Sequence, residues 1–420
     1  MSKNSRFGLC WFVGLAMGAL LWAMPSASAF KGTVLDSKTG IGIPGAIVTT
    51  DGQAATTDTS GGFQLDRTGD TIKIRAAGYG RATIASSQTG ASGELRLEPF
   101  TPKALYLSFY GVGSKVLREA AFALIRQSEL NAVVVDLKGD RGLVAYPTAL
   151  LLASEIGARQ ITSIRDLPGF IRSLHDQEIY AIARVVVFKD DPLATARPDL
   201  AVRRDDGSIF RDREKLAWID PFHREAWNYN IGLAVEAAAA GFDEIQFDYL
   251  RFPDDVHIRL SEASTEGSRV RAITGFLTQA REALRPYNVF LSVDVFGYIC
   301  WNLNDTHIGQ RLEDIAPLVD YVSPMLYPSG FQFGIPGLPN PVSHPYEIVR
   351  RSLDRAKQRT KLPERHFRPW LQAFKDYAFD RRVFDADEVQ AQITAADDFG
   401  SGGWMLWNPR NVYQDSGLTP

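Results

Sequence analysis

Asp248 and Asp294 are the residues of this sequence whose type and setting best suit bond-breaking chemistry. Asp248 closes the run Glu244-Ile245-Gln246-Phe247-Asp248, in which Glu244, Gln246 and Asp248 alternate with apolar Ile245 and Phe247. A strand puts those two sets on opposite faces. Asp294 holds the same phase in Leu291-Ser292-Val293-Asp294-Val295. Neighbouring strands lie roughly 4.8 Å apart, so two carboxylates at their ends can reach the separation of about 5–5.5 Å that retaining glycosidases use. A gap beyond about 6.5 Å would instead admit the water of an inverting reaction. Lys138 and Arg251 are the cations expected to keep Asp248 ionised as nucleophile. Asp294, between Val293 and Val295 and close to Phe296, suits a raised pKa and the general acid/base role, although the two roles are interchangeable at this level.

The same alternation supplies candidates for holding a sugar. Asp136 with Lys138, Tyr327, Trp370 with Gln372, and Trp404 with Asn408 fall at strand ends, and Tyr249, Arg251 and Trp407 stand beside them. Amides and Lys suit hydroxyl groups, and aromatic faces suit the C–H side of a sugar ring. Other readings compete at several positions. Asp136 serves equally well as an ion-pair partner of Lys138 or Arg184, Arg184 reads as structural, and core packing is slightly favoured for Trp407. The six histidines are scattered without metal-ligand spacing, so no metal or other cofactor is expected. A carboxylate-bound Mg2+ or Ca2+ on Asp136, Asp140 and Asp254 is weakly signalled. There is no Gly-x-Ser-x-Gly elbow, and Gly111-x-Gly113 lacks the rest of a nucleotide-binding loop, reading instead as a turn with Ser114 capping a helix.

The elements that must position these residues follow from periodicity. Strand patterns near 104–110, 132–138, 179–188, 244–249, 289–296, 321–327, 368–374 and 404–408 alternate with helical ones. Eight such pairs predict an α/β fold, a (β/α)8 TIM barrel over 101–420 with its strands in sequential parallel order. Before the fourth strand, Asp220 is the expected cap and Pro221 the first turn of a helix with the stripe Trp227, Ile231, Ala234, Val235, Ala238 and a stop at Gly241. The long connections 139–165 and 189–221 follow the second and third strands and should lie over the active face.

Residues 30–100 are rich in Gly, Thr and Ser, with short alternating runs that predict a small all-β sandwich in which Phe63 and Tyr79 are core rather than carbohydrate contacts. Residues 1–29 read as a signal peptide: Lys3 and Arg6 precede an apolar run, and Ala27-Ser28-Ala29 offers a cut after Ala29. The run is shorter than the roughly 20 apolar residues a membrane span needs. A periplasmic or secreted protein follows, with possible association to the cell envelope. Removal of Cys10 leaves Cys300 alone, so no intramolecular disulfide can form. A net charge of -3 over 420 residues gives no reason to expect nucleic acid as partner.

Two resemblances add to this. Gly32-Thr33-Val34, Gly45-Ala46-Ile47-Val48, Thr57-Asp58 with Gly62-Phe63, and Ala77-Gly78-Tyr79 resemble the carboxypeptidase regulatory-like domain, which implies an accessory sandwich without catalytic residues. The segments 131–138, 183–190, 241–253, 369–372 and 403–408 resemble a bacterial glycoside hydrolase family defined largely by sequence, over roughly 102–412. That resemblance implies a barrel of glycosidase type. A more distant likeness to chitinase-type barrels breaks at Leu250 and Pro328, where those enzymes carry an acidic Glu and an Asp, so a chitinase mechanism is not expected. The expected protein is an exported glycoside hydrolase acting on a polysaccharide or oligosaccharide by a retaining two-carboxylate mechanism; the alternative is a catalytically inactive glycan-binding barrel.

Overall fold

The computed structural model describes residues 29–66, 69–89, 93–415 and 417–419. All of the expected export signal except Ala29 lies outside them. Eight parallel strands, Lys103–Leu107, Ala132–Lys138, Tyr180–Val186, Glu244–Asp248, Phe290–Phe296, Tyr321–Met325, Trp370–Gln372 and Trp404–Trp407, close into a barrel in sequence order. The expected (β/α)8 fold is therefore present. The outward residues Val133, Val135, Ala181, Ala183, Ile245, Phe247, Leu291 and Val293 are buried in one continuous core with the surrounding helices.

Local chemistry sets where elements begin and end. The first strand stops at Leu107 because the Ser108 side chain accepts from Gly111 N and caps the helix Phe109–Gly113. Helix Arg224–Ala240 buries Trp227, Ile231, Ala234 and Ala238 and ends at Gly241, whose φ of 112° suits a residue without Cβ. It starts later than the sequence suggests, with His223 at the cap position. Asp220 is committed elsewhere: it accepts from Phe222 N at 3.0 Å and from Ser261 N at 2.6 Å, joining two loops.

One irregularity alters the pattern the alternation predicts. Arg184 pairs in register with Asp136, but the next residue, Val185, pairs with Lys138, so the second strand carries an extra residue there. This bulge puts Lys138 in step with an outward-facing valine.

The N-terminal region forms two small sheets, one of Gly62–Leu65, Phe30–Asp36 and Glu94–Leu97 and one of Gln53–Thr56, Ile47–Thr50, Thr71–Arg75 and Ala82–Ala85. Val34, Val48, Ile72, Ile74 and Leu95 fill the space between them, and Phe63 and Tyr79 are buried in the same core. This unit sits on the barrel end where strands begin. Ala77 packs with Tyr180, Phe290 and Tyr321, and Gly78 N donates to the Tyr321 hydroxyl at 3.0 Å. Arg81 meets Asp243 at 2.7 Å, and Asn288 Nδ2 donates to the carbonyls of Ile74 and Ala82 at 3.3 and 3.2 Å.

Asn288 is buried with φ of 51°, a left-handed conformation that asparagine tolerates better than alanine. Asn288→Ala should strip two carbonyls of their donor and lower unfolding free energy by about 2 kcal/mol. Calorimetry should show one lowered, cooperative transition for both units; separate transitions would contradict the shared interface.

Candidate active site

The C-terminal mouth of the barrel is organised around Arg184. The alternation that points Tyr180 and Ile182 inward carries Arg184 inward too, in register with Asp136 on one side and Gln246 on the other. Its guanidinium donates to Asp136 Oδ1 at 2.6 Å, to Asp248 Oδ2 from both Nε (2.9 Å) and Nη2 (2.5 Å), and to Asp140 Oδ1 at 2.9 Å. Asp294 Oδ2 lies 4.0 Å from Nε. The ring centres of Trp407 and Tyr106 lie 5.0 and 5.6 Å from the guanidinium carbon, and those two rings stack on each other at 3.9 Å.

Four carboxyl groups around one cation cannot all stay charged at ordinary affinity for protons. Burial, followed by the charge of Asp248, pushes the Asp294 carboxyl well above the usual carboxylate range, in the direction the sequence predicts. Burial likewise raises Asp136 to about 6, against the pull of Arg184. Asp136 Oδ2 accepts from the Tyr106 hydroxyl at 2.7 Å and from Phe109 N at 3.1 Å, so this carboxyl is well satisfied by the protein itself.

Asp248 and Asp294 differ in access. Asp248, 6% exposed, borders a cavity of about 280 Å3 at the mouth together with Arg251, Tyr298, Tyr327, Trp370 and Trp407. Its Oδ1 accepts from Tyr249 N at 2.5 Å, and Tyr249 takes φ of 48°, a costly conformation of the kind that clusters at functional sites. Asp294 is 1% exposed and does not reach the cavity wall. Trp370 Nε1 donates to its Oδ1 at 2.7 Å, while Oδ2 has no hydrogen-bond partner among the described residues. Burial chiefly raises the Tyr327 phenol, and Asp294 and Asp248 both lie within electrostatic range of it.

Of the other expected contacts, Tyr249, Arg251, Tyr327, Trp370 and Trp407 border the central cavity. Asp136 borders an adjoining one of about 480 Å3 together with Tyr110, Asp140 and Arg141, separated from the first by Trp407. Four residues do not come to the cleft as expected. Lys138, turned outward by the bulge, is fully buried against Asp190 at 2.8 Å and donates to Val186 O and Asn230 Oδ1, so Arg184 and not Lys138 is the cation at Asp248. Trp404 lies in the outer core beside Lys103, because Met405 and Trp407 take the inward positions of the eighth strand. Gln372 is buried and donates to Ser329 Oγ and Phe374 O, bracing a loop. Asn408 donates to Ala373 O and Val412 O and borders a separate pocket.

The sequence reading missed Arg184 as the centre of the site, although the alternation used for the other strands marks it as inward. It also missed Tyr298, Phe331 and Trp218, which come from connections rather than strands. A third cavity of about 530 Å3, bordered by Lys189, Arg204, Asp212, Arg213 and Glu214, shares Tyr249 and Arg251 with the central one and Glu214 with the second. The three adjoin through these shared residues, and the walls of the second and third include residues of both long connections, as their positions predict. Among the described residues no group of three or more His, Cys, Asp or Glu could hold a metal ion, and Asp136 and Asp140 turn to Arg184.

A family model described as "Putative glycosyl hydrolase domain" matches residues 104–413. A solved hypothetical protein from Ruminiclostridium thermocellum is 40% identical, with 46% of this chain and 97% of that chain covered and a TM-score of 0.41. The glycoside hydrolase domain of PgaB (BpsB) from Bordetella bronchiseptica is 13% identical, with 76% and 99% covered and a TM-score of 0.55, a likeness of fold. No curated protein matches the chain.

Arg184→Leu should strand Asp136 and Asp248 without their cation and cost about 3–5 kcal/mol of stability at pH 7. A buried carboxyl without a cation has a folded pKa above its unfolded value of about 3.9, so its stability contribution is complete at low pH and lost as pH rises. Asp136, at about 6 even with Arg184 present, has the same sign. Urea melts should therefore show a deficit relative to wild type that is largest near neutrality and shrinks on acidification.

Proposed function

Because the chain belongs to the glycosyl hydrolase family whose model covers residues 104–413, we propose that it hydrolyses O-glycosidic bonds in a polysaccharide or oligosaccharide through Asp248 and Asp294. The observation that carries the reading is the pairing at the mouth: a carboxylate held by Arg184 on the cavity wall, beside a buried carboxyl on the neighbouring strand whose proton affinity burial raises. In the retaining reaction we favour, Asp248 attacks the anomeric carbon as the glycosidic C–O bond breaks. The proton on Asp294 passes to the leaving oxygen; water, giving a proton back to Asp294, then attacks the anomeric carbon and breaks its bond to Asp248. Tyr249, Tyr327, Trp370 and Trp407 supply aromatic surface for the sugar, and three adjoining cavities suit a chain of several units. Lys3, Arg6 and the Ala27-Ser28-Ala29 sequence support export to the periplasm or beyond, where cell-envelope glycans would be the substrate pool.

A specific observation favours a second reading, a barrel that binds glycan without cleaving it. Asp248 Oδ2 is occupied by two Arg184 N–H groups, and Asp294 is almost wholly buried.

The two readings separate on Asp248→Asn. On a glycan that the wild type cleaves, reducing-end release should fall by at least about 10²-fold, the lower end of what a positioned acid or base contributes, while glycan affinity stays within severalfold. Glycan binding by a wild type that releases nothing across a broad panel would establish the binder instead. Proton NMR of the first product should show the anomeric configuration kept; its inversion would rule out the retaining mechanism.

A further inference from the structure

The groove contains an arginine whose charge has no acidic counterpart. Arg251 borders both the central cavity and the wider one beside Lys189. Its guanidinium carbon lies 4.9 Å from the ring centre of Trp218 and 5.2 Å from that of Tyr249, and Nη1 donates to the Phe252 carbonyl at 3.0 Å. It forms no ion pair among the described residues. Of the other cations bordering these cavities, Arg184 binds Asp136, Asp140 and Asp248, Lys189 binds Asp212 and Glu214, and Arg211 binds Asp191, while Arg141, Arg204 and Arg213 form no ion pair among the described residues. Arg251 differs from these three in bordering the central cavity beside Asp248. Asp254 and Asp255 border the wider cavity but not the central one, and neither pairs with Arg251.

A half-buried guanidinium against two aromatic rings is held in position and has lost water from its faces, while its edge retains N–H donors. A planar oxyanion with two acceptor oxygens fits such an edge in a bidentate way that a single hydroxyl cannot match. A neutral sugar would leave that charge unbalanced in a site from which the sugar itself has displaced water.

Resting on the glycosidase reading of the same cleft, we propose that Arg251 is a subsite for a carboxylate-bearing sugar, so that the substrate is an acidic glycan containing uronic acid units. The carboxylate sits beside the Trp218 and Tyr249 rings, one sugar away from or adjacent to the unit that meets Asp248. Arg251 then offsets the repulsion that Asp248 would exert on an anionic chain.

The test is calorimetric binding to the mature chain, with short oligosaccharides of galacturonate, of mannuronate and guluronate, and of hyaluronan, each beside its carboxyl-reduced counterpart, plus a sulfated oligosaccharide. At least one uronate oligosaccharide should bind 10-fold or more tightly than its reduced form. Arg251→Gln should abolish that ratio, Arg251→Lys should keep part of it, and added salt should narrow it. A ratio near one, a ratio that survives Arg251→Gln in a variant melting like wild type, no uronate binding, or a preference for the sulfated probe would each overturn the proposal. Binding with the expected pattern but no bond cleavage keeps the subsite and removes the hydrolase; cleavage of neutral glycans unaffected by Arg251→Gln does the reverse.

Discussion

A single buried guanidinium holds the acidic mouth of this barrel together. Arg184 takes hydrogen bonds from its own strand to carboxylates on the second strand, the loop after it, and the fourth strand, and it faces the carboxyl of the fifth. Removing so many charges from water is unfavourable unless each is paired or protonated. The arrangement answers both conditions: Asp136 and Asp248 are paired, and burial raises the proton affinity of Asp294. It can exist only where strands two to five stand side by side in the right register, which the closed barrel ensures. Fold and electrostatics are thus one problem with one solution.

The contrast between a carboxyl bound directly by Arg184 and a more deeply buried one also bears on the surroundings. Trp370 gives Asp294 one donor, which on its own lowers the proton affinity of that carboxyl, and burial outweighs it. Tyr249 turns the chain immediately after Asp248, directing its own N–H back to that carboxylate and its ring toward Trp218 and Lys189. The chain therefore changes direction where the polar inner face of the barrel gives way to the aromatic groove.

Much of this was legible in the sequence, because inward and outward residues of a buried strand differ in kind. The period-two pattern located all eight strands, and it set Asp248 and Asp294 on the inner face. It failed where its assumption of regular pairing failed. The bulge beside Arg184 reverses Lys138, and nothing in Val-Val-Asp-Leu-Lys announces an extra residue. Alternation also gives a direction but no partner: Gln372 and Asn408 are taken by nearby backbone and hydroxyl groups before any sugar could meet them. Arg184 shows the opposite error, since its inward phase was visible and only its mid-strand position suggested a passive role.

The small sandwich seated on the strand-starting end of the barrel has a consequence for handling. Its hydrogen bonds to Asn288 and Tyr321 and its ion pair with Asp243 fasten it there, and the groove opens at the opposite pole. The molecule has a grip and a working edge, with the full height of the barrel between them. The sandwich therefore leaves the edge unobstructed.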